Sequence, residues 1–473
     1  MGNSNQQFDK VLSRMDVLIL AFGAMIGWGW VVLSGTWIAS AGFLGAMIAF
    51  AVGGVLVVFV GLTYAELVSA MPKAGGEHAY TLRAMGTTAS YVTSWFIVLG
   101  YFSVVAFEAV ALPTVIDYLF PNYQVGYMWT ITGWDVYLSW VLVGVIGSIF
   151  VTAINYLGVK PAAMVQMVLT IVIVLIGLML IFGSSIGGES ANLSPLFKDG
   201  MAGVMSVIIM TPFMFVGFDV IPQASEEMNV PFKSIGKILV ISVISAVVFY
   251  LAIIYGVGMA LDHTSLSRSE LATADSMAAV YHSGIFAKVL ILGGVAGILT
   301  SWNAFIIGGS RVLYAMAESG MLPSWFGKLH PKYKTPSNAI LAIGVLATLC
   351  PLLGRPMLVW LSDAGGLAIV VSWLMVAISF VVLRKREPDM PRPYRAGKGN
   401  MIGWTAIVLA LAIALLYMPY MPSSLVWPAE WMILIIWWII GAFFFIQMKK
   451  GKYSSGSGTN LLNQSYSDQT IRD

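Results

Sequence analysis

The stretch "GAMIGWGW" (Gly23–Trp30) sits inside a run that is otherwise fit to cross a membrane. It places Gly23, Gly27 and Gly29 within seven residues. Each glycine costs up to about 1 kcal/mol relative to alanine in a helix interior. A hydrophobic segment that is weakest where it should be strongest implies that helix stability has been exchanged for something else.

The rest of the chain sets the solvent in which that exchange is made. Its 473 residues are 59% hydrophobic and 10% charged, where a soluble chain carries about a quarter charged residues. Mean hydropathy is +0.86. This composition points to a polytopic membrane protein built from helices that satisfy their own backbone groups in lipid. The net charge of +3 carries no nucleic-acid signal, because the basic residues lie between the apolar runs. Cys350, the single cysteine, lies in a hydrophobic run, which excludes a disulfide framework. The opening "MGNSNQQFDKVLSRMD" lacks the apolar core and cleavage site of a signal peptide. Gln6 stands where a myristoylation signal requires Ser or Thr.

Twelve runs have the length a bilayer needs, starting near residues 16, 43, 88, 136, 162, 201, 236, 285, 338, 357, 402 and 429. With the N-terminus in the cytoplasm, 21 of the 25 Lys and Arg residues fall on the inner side. Only Lys198, Arg268, Lys288 and Arg355 fall outside. That bias predicts a multi-pass protein of the cell's inner (plasma) membrane with both termini cytoplasmic. Trp129, Trp134, Trp427 and Trp431 lie near expected outer ends, as an aromatic belt requires. The tail "KYSSGSGTNLLNQSYSDQTIRD" is polar and rich in Ser and Gly, and reads as disordered.

A second interruption lies in the sixth run, "TPFMFVGFDVIPQASEEM" (Thr211–Met228), where Pro212 and Gly217 precede Asp219 at membrane depth. Runs one and six, five apart, are therefore both discontinuous. This is the pattern of an inverted repeat with a binding site at the bilayer midplane. Unwound turns expose N–H groups that attract a carboxylate, and carbonyls that attract an ammonium or Na⁺. The competing reading is that the glycines only let helices pack closely; two clusters in matching positions favour the site.

Six stretches in order identify a family. They are "GAMIGWGWVVLSG", "YAELVSAMPKAGGEHAYTLRAMG", "INYLGVKPAAMVQMVLT", "FVGFDVIPQASEEMNVPFKSIGKIL", "SRVLYAMAESGMLPSWFGKLHPKYKTP" and "RKREPDMPRPYRAGKG". Nearly end to end, the chain resembles bacterial permeases of the amino acid–polyamine–organocation (APC) superfamily. The resemblance implies an all-α, twelve-span protein with a LeuT-like 5+5 inverted repeat, discontinuous helices one and six, and two further C-terminal helices. The expected division is a cytoplasmic N-terminus (1–15), a first repeat (16–184), a second repeat (201–383), the last two spans (402–448) and a disordered cytoplasmic tail (453–473). The implied activity is secondary active transport of an amino acid or related amine by alternating access.

The resemblance also implies site residues. Span-one backbone at Gly23, Ala24, Met25, Ile26 and Gly27 would hold the substrate carboxylate, and carbonyls near Phe215, Val216 and Phe218 its ammonium. Phe213 falls where relatives carry an outer aromatic gate, and Phe305 where a side chain faces the substrate. Trp28 departs from the small residue usual at its position; it either narrows the pocket, offering its π face to an ammonium, or points at a neighbouring helix. Glu108 lies mid-span in "YFSVVAFEAVALP". A carboxyl at that depth is costly and normally faces a cavity. Its candidate tasks are pairing with a cationic substrate, carrying a proton, or bonding a neighbouring helix. Asp219 reads as holding or coupling the broken helix. Glu66, Glu226 and Glu227 read as gate or surface charges, and His78 as a solvated or packing residue.

On coupling, relatives that use protons or no ion place a lysine seven residues after the glutamine of the "VQ" motif. Here that position is Ile173, after Gln166. Gly297, Thr300 and Ser301 share one helical face. In sodium-coupled relatives of the fold such oxygens face carbonyls equivalent to those of Gly23 and Ile26, making a Na⁺ site. The alternative is that the hydroxyls bond their own helix. The expected coupling ion is Na⁺ or H⁺, with no other cofactor. No metal-ligand cluster, Ser/His/Asp set or nucleotide loop stands out, which argues against an enzyme, and isolated breaks rather than a continuous polar path argue against a channel. A transport-dead sensor is the remaining alternative. The expected partners are a small-molecule substrate and the lipid bilayer, not nucleic acid. A small neutral amino acid is the first expectation for substrate, and a cationic amino acid, polyamine or other amine the second.

Overall fold

The computed structural model describes residues 8–120, 122–269, 271–421 and 423–453. Apart from Tyr453, the tail expected to be disordered lies outside the described residues. The chain begins with α1 (Arg14–Met25), α2 (Gly29–Ala41), α3 (Phe43–Ala70), α4 (Glu77–Met85) and α5 (Thr87–Leu119). A hairpin of β1 (Tyr127–Ile131) and β2 (Trp134–Tyr137) leads to α6 (Leu138–Leu157) and α7 (Val159–Gly187). The second break lies among α8 (Gly200–Ile208), α9 (Thr211–Phe215) and α10 (Val220–Gln223). Then come α11 (Phe232–Ala260), α12 (His263–Arg268), α13 (Ala272–Val280) and α14 (Gly284–Glu318). The chain closes with α15 (Ser337–Leu349), α16 (Met357–Arg386), α17 (Met401–Leu416) and α18 (Ala429–Lys449).

Each of the twelve expected runs starts within four residues of a helix start. Among the described residues nine helices are long and apolar enough to cross a membrane, with Gly200–Gln223 taken as one. The pair α1 and α2, bent by 41° at its break, raises the number to ten. Ser337–Leu353 and α17, the two remaining apolar runs, form shorter helices. Burial sorts the helices by depth in the bundle. In the most apolar window of α5 and of α14, 83% of residues are buried; in α18, 11% are. A helix apolar all round and buried all round is a core helix, so α5 and α14 form the centre and α18 the rim. Around them α3 packs on α11, α16 on α5, and α7 on α14.

The all-α expectation needs one correction. Residues 127–137, "YMWTITGWDVY", form an antiparallel hairpin that pairs Thr130 with Asp135 and Ile131 with Trp134. Thr132 (φ 46°) and Gly133 (φ 80°) are both left-handed. That is the backbone a two-residue hairpin turn needs to match the twist of its strands. Aromatic and β-branched residues on either side supply the strand preference.

The charges expected at the cytoplasmic ends divide into two kinds. Glu226 is the surface kind, 3.9 Å from Lys73 with both side chains partly exposed. Glu66 and Glu227 are buried. Glu66 accepts from Arg384, from Arg392 at 3.0 Å and from the Ala396 amide at 2.8 Å, tying α3 to α16 and to the chain that follows it. Glu227 takes a two-pronged bond from Arg311 (2.7 and 3.1 Å), tying the end of the second break to α14. His78 is a packing residue. Its Nδ1 lies 3.0 Å from the Ser90 hydroxyl and its Nε2 2.8 Å from that of Ser319. Burial pushes its imidazole down to about 4, so it stays neutral.

Breaking a buried pair on one side leaves an uncompensated charge. Arg311→Ala is therefore expected to cost about 3–5 kcal/mol. Replacing both partners, Arg311→Met with Glu227→Leu, is expected to recover most of it. Thermal unfolding of the purified protein in detergent checks this; equal losses in both variants would contradict it.

Candidate functional site

Both breaks have local causes. Helix α1 stops at Met25 because Ile26 leaves helical geometry (ψ 32°), and two glycines then interrupt the apolar run. Among the described residues no carbonyl accepts from the amides of Gly27 and Trp28. In the second break, Val216 turns extended (ψ 142°) after α9, and Gly217 adopts φ 136°. Only glycine takes that backbone readily. Asp219 then secures the turn: its carboxylate accepts from the Gly217 amide at 2.9 Å and from Trp373 Nε1 at 3.1 Å. Asp219 thus ties the turn of the second break to α16.

The two breaks meet. A Cβ on Gly217 would lie 2.8 Å from both the Ala24 Cβ and the Met25 nitrogen. The Tyr250 hydroxyl on α11 lies 2.8 Å from the Met25 carbonyl and 3.1 Å from the Met214 carbonyl. One proton therefore serves the last turn of α1 and the last turn of α9. On the other side, a Cβ on Gly27 would lie 2.6 Å from Ser301 Oγ, and one on Gly297 would lie 2.9 Å from the Gly27 carbonyl. Gly23 packs equally closely on Thr170 and Gln166 of α7. The span-one glycines thus serve close packing and an exposed backbone together.

Between the breaks lies a cavity of about 20 Å³, room for one water molecule. Ala24, Met25, Gly27, Trp28, Glu108, Phe213, Ser301 and Phe305 line it, all singled out from the sequence. Gly29, Val104, Phe107, Met214 and Tyr250 complete the wall; of these only Gly29 was marked in the sequence, as part of the first break. The rings cap it at two levels. Phe107 and Phe213 meet edge to face at 5.4 Å, and Tyr101 and Phe305 lie 5.3 Å apart. Tyr101 and Phe107 are six residues apart on α5, about 9 Å along the axis, so the two ring pairs sit at different depths. Phe213, the expected outer gate, lies on the level nearer the hairpin.

The other expected residues sit just behind the wall. The ring of Phe215 packs on Phe50 and Tyr250, and that of Phe218 on Tyr64 and Trp373. The carbonyls of Phe215 and Val216 accept no hydrogen bond among the described residues, whereas that of Phe218 accepts from Ile221 at 3.2 Å. Trp28 faces two ways. It lines the cavity, and its six-membered ring occupies the place a side chain on Gly294 would take. Ile173 packs against Gly297, so the position where relatives carry a lysine is apolar here.

Glu108 is 2% exposed. Its Oε1 accepts from the Ser301 hydroxyl, and its Oε2 has no partner among the described residues. The hydroxyls of Thr300 and Ser301 converge on the Gly297 carbonyl at 2.8 and 3.0 Å. The Ile26 carbonyl accepts from Trp30 Nε1 at 3.2 Å. Three of the oxygens considered for Na⁺ are thus bonded to one another within α14.

Residues 12–445 match a family model described as amino acid permease. The chain is 26% identical to the branched-chain amino acid permease of Bacillus subtilis, across 87% of this chain and 89% of that protein. It is 24% identical to the methylthioribose transporter of the same organism, across 95% of each. It is 25% identical to the lysine-specific permease of Escherichia coli, across 86% of each.

Tyr250 is the wall residue that joins both breaks. Tyr250→Phe keeps the ring and leaves two carbonyls short of a donor, which costs about 1–3 kcal/mol for a buried group. The expected outcome is a lower melting temperature together with at least tenfold weaker ligand binding. A change in neither, by thermal unfolding and equilibrium binding, would mean the bridge is not used.

Proposed function

The chain belongs to the amino acid permease family, and from that premise we propose that it is a secondary active transporter that takes up a small neutral amino acid across the plasma membrane. The observation that carries this reading is the meeting of the two breaks across a small cavity. Free amides at Gly27 and Trp28 suit an α-carboxylate, and free carbonyls at Phe215 and Val216 suit an α-ammonium. Trp28, Phe213 and Phe305 leave little room for a long side chain. A cavity of about 20 Å³ must also widen to admit any amino acid, as alternating access requires. In this reading the chain is a twelve-span, 5+5 inverted repeat with both termini cytoplasmic. Residues 16–184 and 201–383 are the two repeats, 402–448 the added spans, and Ser337–Leu353 and α17 span with the rest. Substrates named for its relatives are diverse, from branched-chain amino acids to lysine and methylthioribose. The side chain accepted is therefore a matter for this chain's own wall.

Reconstitution into liposomes tests the activity. Saturable uptake and counterflow of alanine or another small neutral amino acid are expected. Ion flux without saturation would indicate a channel, and binding without counterflow a sensor.

A second reading, a cationic amino acid or polyamine as substrate, is favoured by the unpartnered Oε2 of Glu108 in the cavity wall. If Glu108 pairs with a second positive group, Glu108→Gln removes a desolvated ion pair worth about 3–5 kcal/mol. Lysine or putrescine should then lose about a hundredfold or more in affinity, with alanine nearly unaffected. If Glu108 carries a proton, it donates to Ser301, which donates in turn to the Gly297 carbonyl. The variant should then bind every substrate and lose the pH dependence of uptake. Affinities and pH profiles for alanine, lysine and putrescine separate the two, and no change in any of them assigns Glu108 to helix packing.

Na⁺ is the coupling ion this reading favours, held by the carbonyls of Gly23, Ile26 and Gly297 and the hydroxyls of Thr300 and Ser301. Binding would draw the hydroxyl bonds away from the Gly297 carbonyl, and the Ile26 carbonyl from Trp30. Replacing choline by Na⁺ at fixed pH should raise both uptake and melting temperature, since a ligand at a hundred times its Kd adds about 2.7 kcal/mol. Thr300→Ala with Ser301→Ala should abolish both responses. Identical behaviour in the two salts would mean the hydroxyls are only structural and leave proton coupling or exchange.

A further inference from the structure

A larger cavity, about 90 Å³, lies at the hairpin end of the bundle. Asp117 of α5 and Arg355, in the chain before α16, both line it, with Gln124, Trp134, Trp140 and Leu271 among the other walls. Three features set it apart from a gap between loops. First, its acid and base form no ion pair with each other or with any other described residue. Asp117 accepts from Gln124 Nε2 at 2.9 Å, and the Arg355 guanidinium has no hydrogen-bond partner among the described residues. Second, Trp140 is 1% exposed and its Nε1–H has no partner among the described residues. Leaving such a donor unsatisfied costs about 1–3 kcal/mol, which a ligand carboxylate would recover. Third, Trp134 lies against Trp140 at 4.6 Å, so the hairpin supplies an apolar wall beside the charges.

Opposite charges held apart across a small, half-aromatic cavity are the complement of a zwitterion. We propose that this cavity is a second amino acid site, in which Asp117 receives the α-ammonium and Arg355 with Trp140 Nε1–H the α-carboxylate. The guanidinium offers the planar, two-pronged donor set that matches a carboxylate. Asp117 lies nine residues beyond Glu108 on α5, about 13 Å along the axis. The two sites therefore stand in line on one helix. Arg355 is also one of only four basic residues assigned to the outer side, where charge bias disfavours it. The outer site is a first station that captures substrate on its way to the inner cavity.

This inference rests on the proposal that the protein transports amino acids, and the test separates the two. Binding of radiolabelled alanine, leucine and lysine to the purified full chain is measured by equilibrium dialysis. The expected result is two molecules per chain for the amino acid that binds. Gly27→Val, which crowds the inner site, should leave one. Asp117→Asn with Arg355→Gln should leave the other, with at least tenfold weaker binding at the site removed. Trp140→Phe keeps the ring, loses the donor, and should weaken the outer site alone; it serves if the double variant does not fold by melting and gel filtration. Ethylamine, which is alanine without its carboxylate, should displace none of the label held by Gly27→Val. One molecule per chain, abolished by Gly27→Val and untouched by the outer variants, overturns the outer site and leaves the transport reading standing. No binding of any of the three to the wild type overturns both.

Discussion

Backbone amides and carbonyls cannot be left facing hydrocarbon, and the architecture around this site follows from that constraint. Two helices are interrupted at membrane depth, and each interruption is made tolerable by the other. Gly217 lies on the backbone of Ala24 and Met25. Tyr250 places one hydroxyl within reach of a carbonyl from each break. Asp219 folds back on the Gly217 amide and reaches Trp373 on α16. Among the described residues, the backbone groups left without a backbone partner include the amides at Gly27 and Trp28 and the carbonyls at Phe215 and Val216.

Glycine has two uses here, separable position by position. At Gly217 the backbone itself demands it, since φ is 136°. At Gly23, Gly27, Gly294 and Gly297 the demand is for space: a Cβ at any of these would collide with Thr170, Ser301, Trp28 or the Gly27 carbonyl. Bringing α1 and α2 this close to α14 seats Trp28 on Gly294 and sets Ser301 beside Glu108. The site's one carboxylate is thereby held from a core helix and kept out of lipid. Buried ion pairs do similar work at the other end, where Glu66 and Glu227 each tie a connecting segment to a helix core.

Part of the site was legible in the sequence. Eight of the thirteen residues lining the inner cavity were named as site residues: glycine and proline within an apolar run mark the breaks and a mid-span carboxyl marks a cavity, while the family resemblance placed most of the individual residues. Tyr250 was missed because nothing in "VVFYLAII" distinguishes a tyrosine that bridges two other helices from one that packs. Glu66 and Glu227 read as end-of-helix charges because their partners, Arg384 and Arg311, lie 318 and 84 residues away. The hairpin at residues 127–137 was hidden by an expectation of helices, although Thr132 and Gly133 carry the turn signal and alternating aromatics the strands.

What the sequence determined by itself is the medium, the positions of the apolar helices and the two breaks. Those depend on composition, run length and local backbone preference, all properties of neighbours along the chain. Tertiary structure alone decided that the two breaks touch, that Trp28 both lines the cavity and fills the space above Gly294, and that Asp117 and Arg355, far apart in the chain, face one cavity unpaired. Such facts are set by which helix faces come within a few ångströms of one another. Side-chain volume and lipid exclusion settle that for the bundle as a whole, and no single stretch of sequence records it.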